Sequence, residues 1–141
     1  MRRELAPYAT ASNTRIDGPD VVLSAEAGQT LAMVLHELVT NAAKFGALSI
    51  ASGCVSVRWN LRHNGDAESL LCIDWEENGG PRVTPPTRSG FGTSVVRELV
   101  PYELSGTADL MHLPEGVCCK LEIPAHWLSS GSGQGALQST G

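Results

Sequence analysis

Between Gly53 and Glu76 the chain alternates. In GCVSVRWNLRH, Val55, Val57, Trp59 and Leu61 fall on one face of an extended chain, and Ser56, Arg58, Asn60 and Arg62 fall on the other. That period of two is the mark of a half-buried strand. HNGD, His63 to Asp66, supplies an Asn-Gly turn, and SLLCIDWE returns as the partner strand. An antiparallel pair with one apolar face needs a second layer to cover it, so the remainder of the chain must provide that layer.

The covering layer is legible on both sides. SAEAGQTLAMVLHELVTNAAKF begins with Ser24 and Ala25-Glu26 and stops at Gly46, the boundary signals of a helix. PDVVL, Pro19 to Leu23, is expected as a short strand before it. ENGGPRVTPPTRSGFG, Glu77 to Gly92, is rich in Gly and Pro and reads as a loop. TSVVRELVPYEL reads as a second helix, and GTADLMHLPEGVCCKLEIP as a last hairpin turning at Pro-Glu-Gly. No segment repeats. The sum is an α+β fold, a two-layer sandwich of a mixed, mostly antiparallel sheet with helices on one face.

Of the 141 residues, those from Ser129 onward are Gly/Ser-rich and uncharged, which leaves one domain. A domain of this size buries enough surface to fold without disulfides or a structural metal. Cys54, Cys72, Cys118 and Cys119 lack C-x-x-C spacing and sit in apolar runs, as buried thiols of a reducing compartment do. No apolar run approaches the roughly 20 residues of a membrane span, and MRRELAPYA lacks the apolar centre of a signal peptide. A cytoplasmic protein without membrane contact is expected. A net charge of −5 with no Lys/Arg cluster argues against nucleic acid as partner.

The first helix carries an unusual stripe. At about 100° per residue, Glu37, Asn41 and Lys44 fall within about 60° of one another, while Leu31, Leu35, Leu38 and Ala42 form a flank centred roughly 130° from Glu37. A solvated face is the plain reading. An acid, an amide and an amine followed by two glycine-rich turns, EENGGP and RSGFG, points instead to a nucleotide site. Gly-rich turns let backbone N–H groups approach phosphate, the second opens a helix whose N-terminus favours anions, and an amide oxygen can bind Mg²⁺.

These residues carry a resemblance. HELVTNAAKFGAL, His36 to Leu48, resembles the N box of the GHKL ATPases, and in particular that of the HWE bacterial histidine kinases, named for a His in the N box and a W-x-E in the first glycine box. His36 and Trp75-Glu76-Glu77 match both, and RSGFGT, Arg88 to Thr93, is similar to the second glycine box. The resemblance covers about Pro7 to Pro124. It implies a Bergerat fold in residues 7–128, with residues 1–6 the remnant of a linker from dimerisation and phosphoacceptor helices and residues 129–141 a flexible tail.

By position, the resemblance implies that Asn41 coordinates Mg²⁺, that Glu37 polarises a water or holds waters around the metal, and that Lys44 reaches a phosphate of ATP. Glu77 takes the place of the family's Asp that accepts a hydrogen bond from the adenine amine. Gly79 and Gly80 leave room for the base, and Gly90, Phe91, Gly92 and Thr93 belong to the turn that meets the triphosphate. Only nine residues, Pro81 to Ser89, separate Gly80 from Gly90, and three are proline, so the lid is short and stiff. Within it Arg88 is the expected phosphate contact, and a solvated arginine is the alternative. His36 lies about 140° around the helix from Asn41, which sets it off the metal stripe. Trp75 is expected as core or as a floor near the base, Trp59 and Trp127 as core or edge aromatics.

None of the four histidines, His36, His63, His112 and His126, lies on a helical hairpin that could serve as acceptor and dimer interface. The function implied is therefore the catalytic part of a histidine kinase. It would transfer the γ-phosphoryl group of ATP to a histidine on another segment, with that helical segment and a response-regulator receiver domain as partners. Two other readings stay open: a nucleotide-free docking module for a response regulator, and an ATP-driven clamp like gyrase, which would need a transducer domain.

Overall fold

The computed structural model describes Met1, Leu5 and residues 13–64, 67–81 and 93–128. The alternating segments are β2, Cys54–Asn64, and β3, Ala67–Asn78; the last hairpin is β4, Thr107–Leu113, and β5, Gly116–Pro124. With β1, Thr14–Asp17, they form one sheet in the order β1-β2-β3-β5-β4. β1 runs parallel to β2 and the other neighbours are antiparallel. Helices α1, Ala25–Phe45, and α2, Thr93–Leu104, pack together and share one core with the sheet.

Register explains why only one face is covered. Val57, Trp75, Cys119 and Leu110 stand in one row across four strands, and all four are buried. The adjacent row on the opposite face reads Asp17, Arg58, Asp74, Lys120 and Asp109, alternating in sign across all five strands. Opposite-charge neighbours contribute about 0.2–1 kcal/mol each and keep this face in water. Arg58 meets Glu76 at 3.7 Å and Arg62 meets Glu122 at 2.6 Å on the same face.

α1 is built as its sequence predicts. The Ser24 hydroxyl accepts from the Ala27 N–H at 3.3 Å, satisfying one of the first-turn donors. Ala27, Leu31, Val34, Leu35, Leu38 and Ala42 are buried along its inner side, each large one stabilising the fold by about 1.5–3 kcal/mol. Gly46 closes it by donating to the Ala42 carbonyl at 3.1 Å.

Several expectations need correction. The strand before α1 is Thr14–Asp17 and not Pro19 to Leu23, where only Leu23 makes an isolated bridge, to Leu128. Pro19 has no N–H to give to a ladder. Its carbonyl instead accepts from the Trp59 indole at 2.7 Å, which ties this segment across the end of the sheet. Cys54 is exposed and Cys118 only half-buried, because both occupy the outer-face parity of their strands while Cys119 faces the core. Glu77 and Asn78 end β3 rather than opening a loop. His63, expected in the hairpin turn, lies in β2. Met1 and Leu5 are buried with the core residues. The Gly65-Asp66 turn, residues 82–92 and the tail from residue 129 lie outside the described residues.

Candidate nucleotide site

The polar stripe of α1 sits at the edge of the buried flank: Glu37 and Asn41 are half-buried and Lys44 is exposed. Among the described residues the Asn41 side chain makes no hydrogen bond, so its amide is available at that edge. His36 is exposed, off the core flank as the wheel predicts.

Glu77 lies where the chain leaves the sheet. It shares the core-face parity of Trp75, yet it is a carboxylate, and it is only 4% exposed. Both oxygens are held. Oε1 accepts from the backbone N–H of Ala47 at 3.0 Å, and Oε2 accepts from the indole N–H of Trp75 at 2.9 Å. Burial pushes the carboxyl above its usual range, while these two donors act in the opposite direction. Ala47 comes one residue after the Gly46 cap of α1, so this bond joins the last strand residues to the end of the helix that carries Asn41 and Lys44.

The glycines around Glu77 serve a close approach of backbones. A Cβ on Gly80 would lie 2.6 Å from the Ala47 Cα, and one on Gly53 would lie 1.8 Å from the Ala47 carbonyl oxygen. Gly79 has φ +74°, and a Cβ there would meet the Ser52 carbonyl oxygen at 2.4 Å. The Ser52 hydroxyl donates back to the Gly79 carbonyl at 2.8 Å. Residues 46–53 are therefore pressed onto the end of β3, close against the backbone of Gly79 and Gly80.

Gly46 and Ala47 thus join Glu77 to the C-terminal end of the helix, whose last turns carry Asn41 and Lys44 and whose middle carries Glu37. Thr93 opens α2, and Arg88, Gly90, Phe91 and Gly92 lie outside the described residues. Sequence reasoning missed the Ala47 amide, which leaves no signature in a side chain. The Trp75–Glu77 bond had a signal: residues two apart on a strand share a face, and a buried indole N–H requires an acceptor. Among the described residues no group of three or more His, Cys, Asp or Glu is placed to hold a metal. An amide oxygen beside phosphate oxygens suits Mg²⁺, which commonly completes its shell with substrate and water.

No protein-family model matches the chain. A blue-light-activated histidine kinase of Rhizobium johnstonii is 39% identical over 127 residues, covering 89% of this chain and 35% of that protein. Another, of Brucella anthropi, is 35% identical over 122 residues, covering 85% of this chain and 25% of that protein. The chain thus spans only about a quarter to a third of the length of these relatives. The histidine kinase domain of Erythrobacter litoralis EL346 blue-light activated histidine kinase superposes with a TM-score of 0.60 at 21% identity, over 87% of this chain and 60% of that one. The catalytic domain of histidine kinase ThkA does so with a TM-score of 0.58 at 18% identity, over 87% and 88%. The solved structures share the fold of histidine kinase catalytic domains, and the relatives share the sequence over most of this chain, which groups it with the histidine kinases.

Proposed function

We propose that this chain is the ATP- and Mg²⁺-binding part of a cytoplasmic sensor histidine kinase. It would serve transfer of the γ-phosphoryl group to a histidine on a helical segment of a larger protein, and from there to a response-regulator receiver domain. Residues 7–128 form the nucleotide-binding domain in this reading, with 1–6 as linker and 129–141 as tail. The observation that carries it is the buried Glu77 carboxylate, held by Trp75 and Ala47 at the end of the helix that bears Asn41 and Lys44.

Each residue has a distinct task. Glu77 accepts a hydrogen bond from the adenine amine. Asn41 offers its side-chain oxygen to Mg²⁺, and Glu37 orients a water beside it. Lys44 and Arg88 meet phosphate oxygens, and the Gly90-Phe91-Gly92-Thr93 turn presents backbone N–H groups to the same oxygens. ATP with Mg²⁺, when bound, supplies a transferable phosphoryl group whose developing charge the metal neutralises. Thermal unfolding tests the reading: ATP or ADP raises the melting temperature by mass action, more so with Mg²⁺ than without. A melting curve unmoved by millimolar nucleotide refutes it.

A further inference from the structure

We propose that Trp75 is a positioning residue for base selection: its indole N–H fixes the Glu77 carboxylate as the acceptor that distinguishes an adenine from a guanine nucleotide. The inference rests on the reading of Glu77 as the residue that meets the base.

The chain has three tryptophans. Trp59 donates to the Pro19 carbonyl and Trp127 to the Leu104 carbonyl, as indoles at the margin of a core commonly do. Trp75 donates to a carboxylate side chain, at 2.9 Å and in a buried setting. The Ala47 N–H takes the other oxygen at 3.0 Å. Neither partner can accept a hydrogen bond, so a proton on Glu77 would find nothing here to donate to. Two donors on two oxygens also fix the plane of the carboxylate about its last rotatable bond.

Each oxygen keeps a second lone pair, and a pair so oriented can receive an amine N–H. A guanine presents a carbonyl oxygen in place of the adenine amine, and a fixed anion repels it. Without the indole donor, Oε2 is free to turn, and a turned carboxylate no longer separates the two bases. A merely structural Trp75 would affect both nucleotides alike.

The test measures affinities of the full chain for Mg·ATP, Mg·GTP and tripolyphosphate, in the unmutated protein, Trp75→Phe, Glu77→Gln and the double variant. Trp75→Phe should narrow the ATP-over-GTP ratio by roughly tenfold or more, the value of one hydrogen bond to a charged group, and leave tripolyphosphate affinity unchanged. In the Glu77→Gln background the same change should have little further effect. If Glu77→Gln narrows the ratio and Trp75→Phe does not, the inference about Trp75 is overturned and the reading of Glu77 stands. If the unmutated protein does not separate ATP from GTP, both fall. Should Trp75→Phe fail to fold, the indole N–H resonance of the ¹⁵N-labelled unmutated chain replaces it. That resonance should move on adding ATP and stay in place on adding tripolyphosphate, and an unmoved resonance at saturating ATP overturns the proposal.

Discussion

Gly46 lies directly against the Glu77 carboxylate: a Cβ at position 46 would fall 2.3 Å from Oε1, the oxygen that accepts from the Ala47 N–H. The end of α1 and the end of β3 therefore meet through a contact that only a glycine permits. Gly46→Ala should displace the carboxylate and break its bond to Ala47, costing about 1–3 kcal/mol of stability. Adenine nucleotide affinity should fall with it. Chemical denaturation and a nucleotide titration of the same variant measure the two, and loss of stability with unchanged ATP affinity would show that Glu77 does not need this position to bind.

Gly53→Ala should be the more damaging substitution, because its Cβ meets the Ala47 carbonyl oxygen, which is backbone and cannot swing aside as a side chain can. We expect a loss of at least about 3 kcal/mol, at the upper end of overpacking costs. The ranking Gly53→Ala worse than Gly46→Ala is checked by denaturant midpoints, and the reverse order contradicts the packing described.

Asn41→Ala should remove the Mg²⁺ dependence of nucleotide binding and leave the fold intact. Asn41 is half-buried at the edge of the Leu31, Leu35, Leu38 and Ala42 flank, and its side chain bonds to no described residue. The melting temperature without ligand should stay within a few degrees, as for a change of about 0.5 kcal/mol. Unfolding of this variant would mean that the amide supports the core.

Glu77 gives a pH signature. Burial holds its carboxyl above the usual range in the folded chain, so the folded protein binds that proton more tightly than the unfolded one. The resulting stability is fully present below the unfolded value and is lost as pH rises through the folded value. Acidified from neutrality toward the ordinary carboxyl range, the ligand-free protein should gain stability relative to Glu77→Gln. Stabilisation by ATP should shrink over the same window, since a protonated Glu77 no longer offers an anionic acceptor. Melting curves of both proteins, with and without ATP, decide it, and parallel pH profiles would exclude Glu77 as the group responsible.

The chain alone should bind nucleotide without labelling itself. His36 is exposed on α1 off the metal stripe, His63 is in β2, His112 in β4 and His126 in the turn after β5. A separate acceptor hairpin from a full-length relative should be labelled weakly, because the encounter is then bimolecular. Acid-labile phosphate on His36 after incubation with γ-labelled ATP would make that residue an acceptor.

Periodicity within the chain determined α1, the β2–β3 hairpin, α2 and the last hairpin, because a helix or a strand with one buried face must repeat its apolar residues every three to four or every two positions. Ser24 and Gly46 marked the ends of α1 for an equally local reason, the orphan N–H and C=O groups of a helix terminus. The stripe Glu37, Asn41 and Lys44 followed from the same geometry. What no local pattern contains is which distant backbone arrives at a given place. The strand forms at Thr14–Asp17, paired in parallel with β2, and not at Pro19 to Leu23, where the Pro19 carbonyl accepts from the Trp59 indole of β2 instead of a ladder N–H. Gly79 and Gly80 read as turn glycines beside a ligand, and only the tertiary structure shows residues 46–53 packed against their backbone. Glu77 read as a loop carboxylate until the close of the sandwich buried it and gave it the Ala47 amide, thirty residues away in the chain, as a donor.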